Sequence, residues 1–195
     1  MPVRTDLVEA ERRWRLPGET MLISQKMVAA LNTQIGNEFG AFLQYVQIAS
    51  HFGRENLPEL SKHFYRQAEE EKVHALKIVN YVVDAGGSVA IPAIAAPRPA
   101  FANAQEAVQL SLDWEVTVTK QINGLVDLAI AENDHTSRNF LQWFVAEQLE
   151  EVSSMDMLLS MVRRAGEQGL LFIEDFLARH KGMPVASPGP EGAGS

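Results

Sequence analysis

At 195 residues the chain has room for one well-cored domain with tails and too little for two large ones. Hydrophobic residues make up 46% of it, which is globular rather than disordered, and no uninterrupted apolar run nears the roughly 20 residues that span a bilayer, which argues against membrane insertion. A net charge of -8 argues against nucleic acid as the main partner, since phosphate binding demands a surplus of Lys and Arg; it suits a protein that attracts cations, although acidity also serves plain solubility. Cysteine is absent, which removes disulfides and thiolate metal ligands. The N-terminus mixes charges of both signs and lacks the basic, apolar, small-residue order of a secretory signal. A cytoplasmic protein is therefore expected.

Residues 1–20 carry Pro2, Pro17 and Gly18 among charges and read as an N-terminal extension with one short helical turn over residues 7–14. From Ser24 to about Phe52, the residues Leu31, Ile35, Phe42, Tyr45, Ala49 and Phe52 recur at alternating steps of four and three, the spacing of one helix face. Glu38 is the one polar residue in that stripe. Gly53 is expected to end this helix, and Pro58 sits where the next begins, since a missing N–H is no loss in a first turn. The second helix runs to the stop signal Gly86-Gly87, with Leu60, Phe64, Gln67, Glu71, His74, Ile78 and Tyr81 on its stripe.

Residues 88–102, with Pro92, Pro97 and Pro99, form a connection without a helical pattern. Some 15 extended residues reach about 50 Å, more than the roughly 42 Å of a 28-residue helix. Such a connection can cross a whole bundle and leave the helices on either side of it parallel. A third helix starts at Asn103, where Glu106 three places on suggests a capping box, and its stripe reads Val108, Leu112, Glu115, Thr119, Ile122, Val126, Ala129. Asn133-Asp134-His135 reads as a turn, with Thr136 or Ser137 capping a fourth helix that ends at Ala165. The fourth stripe is Leu141, Phe144, Gln148, Glu151, Met155, Leu158, Val162. A short fifth helix is expected over residues 170–180, packing through Leu171, Phe172, Phe176 and Leu177, and the Pro- and Gly-rich residues 181–195 read as a flexible tail. The expected fold is all-α: a four-helix up-down bundle with one long crossover between helices two and three, plus a short fifth C-terminal helix, with residues 21–180 as the domain.

Each hairpin thus offers one glutamate from its first helix and an i, i+3 polar pair from its second: Glu38 with Glu71 and His74, and Glu115 with Gln148 and Glu151. Bare charges in a bundle core cost several kcal/mol, so these residues need partners or a metal. Four carboxylates meeting at one level repel unless protonated or neutralised, and two divalent cations supply the matching charge. Oxygen ligands with a single nitrogen suit iron(II) or manganese and leave coordination positions open for O₂ or peroxide. Glu71 is the natural bridge, and Tyr45, two turns after Glu38, is placed to hydrogen-bond a ligand or supply an electron. Glu70, Glu147 and Glu150 lie beside these residues and form either a solvated face, a further cation site or an entry path. His51, His63, His135 and His180 lack such company and read as surface or loop histidines, and Phe64, Trp143 and Phe144 read as core.

On these residues the chain resembles the bacterial-type non-haem ferritins. The resemblance runs from about Met21 to His180 and rests on Leu31-Asn32, Asn37-Glu38, Tyr45, Glu70-Glu71-x-x-His74, Glu115, residues 119–123 (TKQIN) and the run from Phe140 to Glu151. It implies a di-iron ferroxidase centre at Glu38, Glu71, His74, Glu115, Gln148 and Glu151. In that scheme Glu38 and His74 hold one iron, Glu115 and Glu151 the other, Glu71 bridges, Gln148 tunes the second site and Tyr45 assists electron transfer. It also implies a third iron position at Glu70, Glu147, Glu150 and Glu151, a hollow shell of 24 copies, and ferric mineral stored inside. The related haem-containing bacterioferritins carry a haem-ligating Met after the bridging glutamate and a second Glu-x-x-His. Lys72 and Gln148-x-x-Glu151 stand there instead, so no haem is expected.

The expected function is iron storage and detoxification, with iron(II) and O₂ or H₂O₂ as substrates, and without nucleic acid or membrane partners. Two alternatives remain at this point. A di-iron oxidase or peroxidase of the rubrerythrin type would store nothing, but such proteins tend to carry a cysteine-ligated iron module. In a metal-free interaction bundle the carboxylates would be only a polar core.

Overall fold

The computed structural model describes residues 21–180. The extension expected over residues 1–20, with its helical turn, and the tail expected over residues 181–195 lie outside them. The described residues form five α-helices and no strand: α1 (Gln25–Arg54), α2 (Pro58–Asp84), α3 (Ala104–Ala131), α4 (His135–Ala165) and α5 (Leu170–Arg179). No described helix is long and apolar enough to cross a membrane.

The helix ends follow local chemistry. The Ser24 hydroxyl accepts from the Met27 N–H at 3.0 Å, and the Asn103 side chain from the Glu106 N–H at 2.8 Å, so α1 and α3 begin on side-chain caps. Glu106 reaches back to the N–H of Ala102. Two boundaries differ from the sequence reading. Gly53 stays inside α1, which continues to Arg54, and the chain turns at Asn56, whose φ of 60° lies in the left-handed region that asparagine tolerates. Helix α4 begins at His135 because Asp134, rather than Thr136 or Ser137, is its cap; the Asp134 carboxylate accepts from the Ser137 N–H at 2.9 Å. Gly86, at φ 76°, ends the second helix as expected.

Contacts at the helix ends fix the topology. The Leu22 N–H donates to the Ala85 carbonyl at 2.9 Å, and the Ser24 hydroxyl donates to Glu132 at 2.6 Å, so α1 runs antiparallel to both α2 and α3. The hydroxyls of Tyr81 and Ser137 meet at 2.8 Å, which sets α2 antiparallel to α4. Helices α2 and α3 are therefore parallel, as the length of the connection between them anticipates.

Five backbone groups of that connection are taken up by polar side chains spaced along α1. The Asn32 amide donates to Ser88 O at 3.0 Å and its carbonyl accepts from Ala90 N at 3.1 Å. Gln44 exchanges the same pair of bonds with Arg98, and Gln47 donates to Pro99 O at 3.2 Å. Between these anchors the strap lies hard against Gly36, where a Cβ would come within 2.4 Å of the Pro92 ring.

The apolar core is divided. One cluster, around Tyr45, Ile48, Phe52, Leu60, Phe64, Met155 and Leu158, fills the end that carries α5. A second, around Met27, Leu31, Ile35, Ile78, Ile122, Leu141 and Phe144, fills the other end. The buried polar residues of the four stripes lie between them.

Helix α5 caps the first cluster with Leu170, Ile173 and Leu177, while Leu171 and Phe172, expected on the packing face, are 73% and 78% exposed. A 3-10 turn over Glu167–Gly169, not foreseen from the sequence, precedes α5 and sets its phase. The buried Glu174 carboxylate accepts from the backbone N–H groups of Glu59 and Leu60, both at 2.8 Å, and so caps α2, whose own N-cap Leu57 has no acceptor. His63, expected at the surface, is only 4% exposed and packs edge-on against Phe64 at 5.2 Å. On α2 it lies one turn before Gln67, on the flank of the stripe away from Ser61, which bonds to Ala49 O of α1, so the buried face of α2 is wider than the stripe alone.

Candidate metal centre

Glu38 on α1, Glu71 and His74 on α2, Glu115 on α3, and Gln148 and Glu151 on α4 are all buried. Donor atoms of Glu38, Glu71 and His74 lie within 4.8 Å of one another, the reach of a single ion. His74 Nδ1 stands 3.6 Å from Glu71 Oε2, one helical turn away on the same face. The other members approach through charge, since the carboxylates of Glu115, Glu38 and Glu151 all act on Glu71. Among the described residues, Glu115 and Glu151 do not form a second cluster as tight. One oxygen of each is already engaged: the Tyr45 hydroxyl donates to Glu115 Oε1, and the Gln67 amide donates to Glu151 Oε2 at 3.0 Å.

The donor set fits a divalent cation on an observation independent of any likeness. Glu38 Oε2, both oxygens of Glu71 and Glu115 Oε2 are buried and receive no hydrogen bond from a neighbouring N–H or hydroxyl. Buried carboxylate oxygens without donors are costly, and a cation or a proton is what answers them. Without a cation the answer is protons. Burial, and then the carboxylates of Glu115, Glu38 and Glu151, push Glu71 well above the usual carboxylate range. When protonated, its hydroxyl can turn to Glu38. Burial raises Glu38, against hydrogen bonds from Glu71 and Gln34; it raises Glu115 to about 7, with Tyr45 and Gln148 opposing; and it raises Glu151 well up, with Glu115 and Glu70 adding to the effect. His74 moves the other way, to about 4, through burial and then the Lys77 charge, so the imidazole is neutral, the form that ligates metals. The Trp143 and Phe144 rings stand edge-on to it, with centroids 5.4 and 5.9 Å away.

Residues to which the sequence assigned no supporting role now have one. The Gln34 amide donates to Glu38 Oε1 at 2.8 Å, and Asn37 in turn donates to Gln34 at 3.2 Å. The Thr119 hydroxyl donates to Gln148 Oε1 at 2.9 Å, which turns the Gln148 amide hydrogens toward Glu115. Spacing carried a signal for two of these, because Gln34 and Thr119 each lie four residues from a candidate ligand on the same helix.

The surplus acids fall outside the core layer. Glu70 and Glu147 line a surface groove of about 580 Å³ with Tyr65, Arg66, Val73, His74 and Trp143, and Glu150 is exposed beside them. Burial raises both Glu70 and Glu147, and Glu150 raises Glu147 further. Lys72, directly after Glu71, points outward and pairs with Glu69 at 2.7 Å.

A four-helix bundle with one crossover and a buried layer of carboxylates and imidazole between two apolar clusters defines a metal-binding bundle class. Comparison with known proteins narrows it. The family model described as a ferritin-like domain matches residues 28–165. "Ferritin BfrB" of Mycolicibacterium smegmatis is 43% identical, over 88% of this chain and 95% of its own length. "Bacterial non-heme ferritin" of Staphylococcus aureus is 32% identical, over 75% and 88%. A crystal structure described as an open pore ferritin from Archaeoglobus fulgidus superposes with a TM-score of 0.79 at 37% identity, covering 82% of this chain and 98% of that one. The chain belongs to the ferritin family, and that membership implies iron binding and a role in iron storage.

Proposed function

We propose that this chain is the subunit of a ferritin shell that oxidises iron(II) to iron(III) with O₂ or H₂O₂ in its core layer and passes the product to a ferric mineral held inside. Iron(II) is the substrate, and two ions per subunit match the four buried carboxylates in charge. The observation that carries the reading is the convergence of Glu38, Glu71 and His74 donor atoms within 4.8 Å, in a buried layer whose carboxylate oxygens lack donors.

In this reading Glu38 and His74 hold one ion, Glu115 and Glu151 the other, and Glu71 lies between. Gln34 orients Glu38. Gln148 and Tyr45 orient Glu115, and the Tyr45 hydroxyl, kept protonated by burial and by the Glu115 and Glu71 charges, is within reach to give an electron and a proton together. Cations binding to protonated carboxylates displace protons, so uptake releases acid. Glu70, Glu147 and Glu150, with Glu151, hold a third ion in the groove.

A hollow shell of 24 copies in the cytoplasm is the assembly we infer. The unpartnered Leu171 and Phe172 on α5 support contacts between copies. Native mass measurement with and without iron(II) tests the whole reading. A particle near 24 chains that turns amber on iron(II) addition in air is expected, with Glu71→Ala/His74→Ala assembling alike but losing rapid oxidation. A monomer or dimer would overturn the shell, and a double variant oxidising iron at the parent rate would overturn the centre.

A further inference from the structure

Gln67 is the residue that ties the core layer to the groove outside it. It is buried, one turn before Glu71 on the same face of α2, and both hydrogens of its amide are used. One goes to Glu70 Oε2 at 2.7 Å and the other to Glu151 Oε2 at 3.0 Å. Glu70 belongs to the groove and Glu151 to the core layer, so a single neutral side chain fixes one carboxylate oxygen in each place. It leaves Glu70 Oε1 and Glu151 Oε1 to other partners. The two carboxylates repel, Glu70 being one of the charges that lifts Glu151, and the amide between them is what lets them stand close.

We infer that Gln67 is a positioning residue that couples cation binding in the core layer to the state of Glu70 in the groove. The inference rests on the metal-centre reading above and adds a residue to it. A hydrogen-bond donor that holds a ligating carboxylate in one orientation sets its affinity for the ion, and loss of such a donor typically weakens binding about 10- to 100-fold. Here the donor is shared. Removing Glu70 frees the Gln67 amide to swing, and Glu151 loses its fixed orientation although nothing in the core has been altered.

A double-mutant cycle read by Zn²⁺ titration calorimetry of the metal-free assembled protein tests this, because Zn²⁺ binds without turnover. Glu70→Ala is expected to weaken the core-layer Zn²⁺ class about 10-fold in the parent. In the Gln67→Leu background, where core affinity has already fallen, the same substitution is expected to change it less than about 2-fold. Gln67→Met, an apolar side chain of nearly equal length, takes that arm if the Leu variant does not assemble. Equal shifts in the two backgrounds, or no shift in the parent, would overturn the inference while leaving the centre intact. A parent protein that takes up no Zn²⁺ would overturn the centre itself, and this inference with it.

Discussion

The Glu174 carboxylate, on the last helix, accepts the backbone N–H of Leu60, at the start of the second, at 2.8 Å. Because the same carboxylate also takes the Glu59 N–H, α5 supplies the N-cap that the sequence at Leu57 denies to α2. Glu174→Ala is expected to lower stability by about 1–2 kcal/mol, the range of a lost cap, and Glu174→Gln by less, since its amide carbonyl keeps one acceptor. Amide exchange at Glu59 and Leu60 is the direct check. Unchanged protection there in the Ala variant would mean that α5 does not cap α2.

Metal-free protein is expected to lose stability as pH rises from about 4.5 past 7. Glu115 has a folded pKa of about 7 against an ordinary 4.5, so its contribution is fully present below 4.5 and is lost as pH climbs through 7. At about 1.4 kcal/mol per pH unit that is about 3 kcal/mol, and Glu38, Glu71 and Glu151 act in the same direction. Zn²⁺ at about 100 times its dissociation constant should return about 2.7 kcal/mol at neutral pH. Thermal unfolding against pH, with and without Zn²⁺, measures both, and Glu115→Gln should flatten the metal-free slope.

His63 gives the opposite sign. Burial, and then the Arg66 charge, lower it to about 4 from 6.5, so its neutral form is favoured in the fold; the stability it contributes is present above 6.5 and lost as pH falls toward 4. The loss is about 3 kcal/mol when complete. Its Nε2 has no hydrogen-bond partner, so His63→Leu should cost little at neutral pH and remove this acid sensitivity. An acid limb that persists unchanged in the variant would assign the effect elsewhere.

Gly36→Ala should displace the crossover, because the new Cβ would lie 2.4 Å from the Pro92 ring. A cost of about 1–3 kcal/mol is expected, the range for overpacking, with faster amide exchange at Ala90 and Arg98, whose N–H groups are held by Asn32 and Gln44. Normal stability with unchanged exchange would show that the strap yields without strain.

The sequence is enough to find the four long helices, the crossover and the six candidate ligands on their helix faces. The helices and the six residues follow from a periodicity of 3.6 residues and from the rarity of charge on a core face, and the crossover from the length of a proline-bearing run without that period, all properties of a chain read one segment at a time. It left the finer phase undecided. On α3 the buried set includes Ser111, Val118 and Leu125 where Leu112, Thr119 and Val126 had been expected, because neighbours on two sides broaden and turn the face that is covered. Packing between helices put His63 inside, turned α5 to pack through Leu170, Ile173 and Leu177, and made Glu174 cap a helix more than a hundred residues away. It alone brought Tyr45 to Glu115 and set Gln67 between Glu70 and Glu151. Hydrogen bonds between distant helices depend on distance and direction in space, and no spacing along the chain encodes either.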